Sequence, residues 1–447
     1  MFSWNIGARD VLCVGIVLSI GFQQFPVLRL GGSFRVYELL AVLLLLVILA
    51  SGALFRLREL WSLSFFVVAP VISFLFFWAS WVHDINGYYQ AFGVAGQFRY
   101  GYFAATFVPL FYFFLCWVAF SSISNNTWLF VNRAALLRLL IIVGNGIGLF
   151  ALIAAFLNGA LSMQTPIQML PDWLQNVGKA SYGFRTSGFS QEPSFFVLYQ
   201  GWVLLLTYFY RGLFSRLQAA YFIVVAAVCL LMTLSSALLG FAGACAIVAV
   251  LVGRRKTRLK RVGFLVIALV ALCVSIYVGG YQDLFYYAFY KKIVGFFSLP
   301  STTLDSGQFR AYTAALGYEI FKEYPITGVG PGASIFFMHA YEHAIPIATY
   351  GERLNPGSFP QNSYVSVLAD LGLVGFVAML GLLWDSLSAT WRATRLNAEM
   401  VPFLIGLIFT MVSLLSIAPA YSMFIWVFPA LSVCFARGVL SRTDPTG

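Results

Sequence analysis

Apolar runs of about 20 residues, the length a helix needs to cross the hydrocarbon core of a bilayer, follow one another along almost the whole chain. They lie near 11–28, 36–54, 63–82, 102–120, 135–157, 193–210, 217–234, 237–252, 262–280, 363–384, 401–418 and 420–438. The pattern predicts an all-α, polytopic integral membrane protein of about 12 transmembrane helices. One long polar stretch, 282–362, interrupts it. The chain is therefore expected to divide into nine spans (1–281), a long outer loop containing short helices (282–362), and three more spans with a tail (363–447). Inside the loop, Phe309, Tyr312, Leu316, Ile320 and Tyr324 recur at helical spacing, which predicts an amphipathic helix with Arg310 on its polar side. A turn, Gly328-Val329-Gly330-Pro331-Gly332, follows it.

Composition sharpens the class. Hydrophobic residues make up 61% of the chain and charged ones 10%, which leaves no stretch for a soluble domain. The net charge of +11 could suit a nucleic acid. The basic residues, however, gather in alternate loops: Arg56 and Arg58, Arg133 and Arg138, Arg211 and Arg216, the cluster Arg254 to Arg261, then Arg392 and Arg395. That is the bias of cytoplasmic loops. It places both termini in the cytoplasm and the long loop outside, and it leaves anionic membrane lipid, not nucleic acid, as the partner of the charge.

All six cysteines fall inside the apolar runs, so no disulfide framework is expected. Of the acids, Glu38 and Asp370 sit inside spans near their outer ends, with Arg138 near an inner end. Ionisable residues in spans are costly and mark function. A carrier coupled to protons or sodium would need acids or broken helices at the midplane, so the chemistry is expected at the outer face.

Two outer segments carry candidate groups. In Ser181 to Ser194, Arg185 precedes Glu192-Pro193-Ser194. Pro193 suits the first turn of a helix, which sets Glu192 at the cap beside the positive end of the helix dipole. The plainer alternative is that Glu192 only caps and Arg185 only snorkels to head groups. In the long loop, Arg310 leads the amphipathic helix. The glycine turn could wrap a phosphate or simply turn the chain, and no phosphate-binding loop of the Gly-x-x-x-x-Gly-Lys-Ser/Thr type is present to suggest a nucleotide. His339 and His343 lie four apart but lack an evident third ligand, so no metal and no cofactor is expected. Where the loop meets the tenth span, Asn362 and Tyr364 read, as residues alone, as a helix cap and an interfacial aromatic.

An outer arginine ahead of a helix, a long outer loop with another arginine and a Pro-x-x-Gly-x-Gly turn, the stretch Gln361-Asn362-Ser363-Tyr364 and the helix motif Gly372-Leu-Val-Gly375 resemble, in that order, the O-antigen polymerase and ligase superfamily. These are the Wzy polymerases and WaaL ligases of bacterial surface-polysaccharide assembly. Ligases of this type carry His-Asn where this chain has Gln361-Asn362, so the resemblance leans to the polymerases.

The resemblance implies a metal-independent glycosyltransferase of the bacterial inner membrane. It would move a growing glycan from polyprenyl diphosphate onto a lipid-linked oligosaccharide repeat unit, with a chain-length regulator protein as a further partner. Arg185 and Arg310 would hold the departing diphosphate, and Glu192 would serve as base. Gln361, Asn362, Tyr364, Tyr312 and Arg353 would contact substrate. Two alternatives stand beside it: a ligase passing glycan to lipid A core, and a flippase that moves lipid-linked sugar without chemistry.

Overall fold

The protein is described by a computed structural model at residues 6–23, 27–29, 33–51, 60–76, 101–160, 186, 189–190, 192–233, 235–252, 286, 306–338, 341 and 358–443. Its helices are α1 (Ala8–Ser19), α2 (Val36–Ala50), α3 (Leu60–Phe76), α4 (Gly101–Ser124), α5 (Thr127–Val131), α6 (Arg133–Ala160) and α7 (Pro193–Phe209). Then come α8 (Arg216–Leu231), α9 (Ala237–Val252), α10 (Ser306–Glu323), α11 (Ser334–Phe337), α12 (Ser363–Leu396), α13 (Val401–Ser413) and α14 (Met423–Thr443). Each expected span meets a helix except 262–280, which lies outside the described residues.

Among the described residues, four helices are long and apolar enough to cross a membrane, within α4, α6, α12 and α14, and shorter apolar helices accompany them. The architecture is that of a polytopic membrane protein. It departs from the all-α expectation at one place. The first span stops at Ser19, and a short antiparallel hairpin follows, β1 (Val27–Arg29) paired with β2 (Ser33–Arg35). The apolar run is broken there by Gln23, Gln24 and Pro26, and proline cannot continue a helix.

Local chemistry sets the helix starts. Asn126 accepts from the Leu129 amide at 3.0 Å, Ser215 and Gln218 form a reciprocal cap, and the Asn362 side chain accepts from the Tyr364 and Val365 amides. Each satisfies donors that the first turn leaves open.

The centre of the bundle is α14, the most buried of the four long helices. Its Trp426 ring packs edge-on to Phe66 at 5.2 Å and against Phe65 at 5.3 Å, while Phe428 stacks on Trp202 of α7 at 4.6 Å. Trp202 lies flat across Gly406 of α13, where a β-carbon would come within 2.4 Å of the indole. Around this core Leu43, Leu46 and Leu49 of α2, Val224 and Leu231 of α8, and Val377 and Trp384 of α12 stay exposed, an apolar girdle suited to lipid. Cys13, Cys116, Cys229, Cys245 and Cys434 are free thiols; Cys273 lies outside the described residues.

The feature that positions the loop is a break in α12. Gly372 has φ 61° and ψ −160°, so the helix stops and restarts there. The residues flanking the break lose their helical partners, and the loop replaces them. Val329 and Gly330 donate to the Ala369 and Asp370 carbonyls at 3.0 and 2.9 Å, while Leu373 and Val374 donate to the Pro325 and Ile326 carbonyls at 2.8 and 3.2 Å. The contact is so close that a β-carbon on Gly328 would sit 2.4 Å from the Asp370 backbone, and one on Gly372 would sit 2.3 Å from the Ile326 carbonyl oxygen. Both positions need glycine, for space and for positive φ.

The buried Asp370 carboxylate completes the joint. It accepts from the Ser334 amide at 2.9 Å and the Ser366 hydroxyl at 3.2 Å. The glycine turn thus docks on the membrane helix, which favours the structural alternative for it over phosphate binding. Above it Tyr312, Leu316, Ile320, Val329, Ala333, Phe336 and Met338 form a small core of their own, against which Ala369 packs.

Candidate active site

The helices α2, α7 and α12 all begin at one end of the bundle, and the α13–α14 link lies beside them. Together they enclose a cavity of about 410 Å³. Gln23, Arg35, Glu38, Tyr112, Glu192 and Gln361 supply its polar wall, and Phe195, Phe359, Tyr421 and Phe424 its aromatic wall. This volume is in the range of small-molecule sites, and the mixture of rings with a few convergent polar groups is typical of them.

On one side stand two of the sequence candidates, joined in a contact that the sequence did not foretell. Arg310, near the start of α10, donates from a terminal nitrogen to Glu192 Oε2 at 2.9 Å. Glu192 occupies the cap position of α7, and its carbonyl accepts the Phe195 and Phe196 amides, but its carboxylate does not cap. It turns outward to Arg310 and takes a second hydrogen bond from the Ser194 hydroxyl at 3.0 Å. In this pair the arginine is the more enclosed partner, at 15% side-chain exposure, and the carboxylate is the more open one, at 34%.

The same cavity is lined by a second pair, whose members the sequence did not bring together. Glu38, in the first turn of α2, accepts from the Arg35 backbone amide at 2.8 Å and from its guanidinium at 3.1 Å, with the Tyr112 hydroxyl at 3.5 Å. Here the carboxylate is the enclosed partner, at 2% exposure against 27% for Arg35. The signal was present, since Glu38 is an acid inside an apolar span. Its guanidinium partner, a basic residue just outside a helix end, carries no such mark. Tyr421 from the α13–α14 link stacks near Tyr112, 6.3 Å between rings.

The remaining sequence candidates separate. Gln361 lines the cavity, and its backbone amide donates to Thr313 Oγ1 at 3.2 Å, tying α10 to the head of α12. Asn362 caps α12. Tyr364 donates its hydroxyl to the Met411 carbonyl at 2.9 Å and packs against Phe376. Tyr312 is buried in the loop core. For these three the geometry shows the structural alternative in use. Arg185, Arg353, His339 and His343 lie outside the described residues.

A polytopic helical bundle with a loop docked on a broken helix, and a cavity bearing guanidinium and carboxylate groups, defines the class of the protein as a polytopic membrane protein. Residues 220–380 match the model of the family described as O-antigen ligase, which supports the O-antigen ligase and polymerase superfamily that the motifs resemble. Members of that family are membrane glycosyltransferase-like enzymes. The matched stretch contains Arg310, the glycine turn, Gln361 and Gly372; Glu192 and the Arg35–Glu38 pair lie outside it. No curated protein matches the chain.

Proposed function

We propose that this protein is a polysaccharide polymerase of the O-antigen type. In this reading it spans the bacterial inner membrane about twelve times, with its termini in the cytoplasm and residues 282–362 in the periplasm. It transfers a growing glycan from polyprenyl diphosphate to a hydroxyl of a lipid-linked repeat unit, without metal. The observation that carries the reading is the Arg310–Glu192 pair at the edge of the cavity.

In the transfer the bond between the anomeric carbon and the diphosphate oxygen breaks, and a bond from the acceptor oxygen to that carbon forms. Negative charge grows on the departing diphosphate. A guanidinium matches two phosphate oxygens at once, and in an enclosed site its charge acts strongly. Arg310 is held ready for that anion by Glu192, and Arg185 is the second cation assigned to it.

When diphosphate replaces the carboxylate on Arg310, Glu192 is released. It then lies within the cavity to accept the proton of the attacking hydroxyl. The open carboxylate and the enclosed arginine are the arrangement such an exchange needs. Gln361 in place of the histidine of ligases supports the polymerase branch. The description of the matching family favours the ligase as the second reading.

Purified protein given lipid-linked repeat units alone tests this. A ladder of lengthened products is expected. Transfer seen only after lipid A core is added would establish the ligase, and transbilayer movement without products would establish a carrier.

A further inference from the structure

Gln23 is 3% exposed in the cavity wall, and neither its amide nitrogen nor its amide oxygen has a hydrogen-bond partner among the described residues. Leaving both atoms of a buried amide unsatisfied is unfavourable, and such groups ask for an explanation. A ligand that offers both an acceptor and a donor would supply one.

Arg35 and Glu38 restrict what that ligand can be. Glu38 is fixed by three donors, the Arg35 amide, the Arg35 guanidinium and the Tyr112 hydroxyl, and at 2% exposure it has no room to swing aside. An anion approaching Arg35 would meet this trapped carboxylate. The wall therefore repels phosphate, unlike the Arg310 side, and presents adjacent donors and acceptors to a neutral partner. Vicinal hydroxyls on a sugar ring have that alternation, each able to donate and accept. The rings of Phe195, Tyr421 and Phe424 complete the cavity with apolar faces on which the C–H face of a pyranose can lie.

We infer that Gln23, Arg35, Glu38 and Tyr112 form a subsite for the pyranose ring attached directly to the lipid diphosphate. The inference rests on the donor reading given above. With the diphosphate on Arg310, its first sugar extends past Glu192 into the cavity toward Gln23. Gln23 is then a specificity residue that touches substrate, and the Arg35–Glu38 pair is a fixed hydroxyl reader.

The test measures binding to the full chain in nanodiscs of two probes: undecaprenyl diphosphate bare, and undecaprenyl diphosphate carrying the host's repeat oligosaccharide. Gln23→Met keeps the volume and removes both polar atoms. It is expected to weaken binding of the glycosylated lipid about tenfold, to leave the bare lipid unchanged, and to leave Tm equal or raised. Gln23→Ala serves as a second variant with the same expected split. Arg310→Ala should weaken both probes.

An equal loss for both probes in the Gln23 variants, or no loss, overturns the subsite. Wild-type protein that binds both lipids equally overturns it too while leaving the diphosphate reading in place. Wild-type protein that binds neither removes that reading and the subsite with it.

Discussion

Two arginine–glutamate pairs meet one cavity, the first through its glutamate alone and the second through both members, at nearly the same separation, 2.9 Å for Arg310 with Glu192 and 3.1 Å for Arg35 with Glu38, yet they are built in opposite senses. In the first the cation is enclosed and the carboxylate is open. In the second the carboxylate is enclosed and its partner precedes it by three residues, at the cap of the same helix. Distance alone would call them equivalent. Burial distinguishes them, because removing a carboxylate from a nearly dry site leaves uncompensated charge, whereas an open carboxylate can return to water. The first pair is therefore exchangeable and the second is fixture. One cavity can hold an anion at one wall and refuse it at the other.

The largest effect is expected from the exchangeable cation. Arg310→Lys keeps charge but loses the two-pronged contact with phosphate, and polymerisation should fall by about 10²- to 10³-fold. Polymer of near-normal length at normal protein level would end the bidentate role.

Glu192→Gln tests the same pair from its other side. Turnover should drop about 10- to 100-fold for want of a base, while bare undecaprenyl diphosphate should bind as tightly or more tightly, since nothing competes for Arg310. Weaker binding of the bare lipid would show that the carboxylate supports the arginine and does not yield to the ligand.

Glu38→Gln should act in the opposite manner. It leaves Arg35 without its counter-ion, and allowing for the partial exposure of Arg35, a loss of about 1–2 kcal/mol is expected, read as a lower Tm with unchanged binding of the bare lipid. A gain in affinity for that lipid of tenfold or more would mean that the fixed pair also releases its arginine.

The smallest effect sets the scale. Asn362→Ala removes a helix cap and should lower stability by about 1 kcal/mol, whereas Asn362→Ser should restore most of it with activity. Stable but inactive Asn362→Ser protein would restore Asn362 to the list of substrate contacts.

The contrast between the pairs also shows what a sequence can and cannot carry. The helical spans were legible because hydrophobic length is a one-dimensional signal, and α10 was legible from the spacing of Phe309, Tyr312, Leu316 and Ile320. Arg310 and Glu192 were legible as individuals, each by its place at a helix start. Their contact, across 118 residues, was not. Arg35 was missed because a basic residue beside an outer helix end is the common case, and only its grip on Glu38 sets it apart.

Gly372 was misread for a physical reason. Gly372-Leu-Val-Gly375 is compatible with an unbroken packing helix, and the break exists only because four hydrogen bonds from Pro325 to Gly330 satisfy the groups it exposes. No local feature of α12 announces partners supplied by a turn some 40 residues earlier. Tyr312 and Tyr364 were contact candidates through the resemblance, and the depth at which they pack is a tertiary property.

That joint also fixes an order of events in the making of the protein. Residues 325–334 leave the ribosome before α12 does, so during synthesis the turn exists with nothing to dock on. Beside its ion pair with Glu192, Arg310 is held over the bundle, among the described residues, through α10, this turn and the contact of Gln361 with Thr313, which depend on α12. A chain halted short of residue 373 would carry its arginine and its glutamate without a fixed relation between them. Maturation of the site therefore waits for α12 and the helices after it to insert.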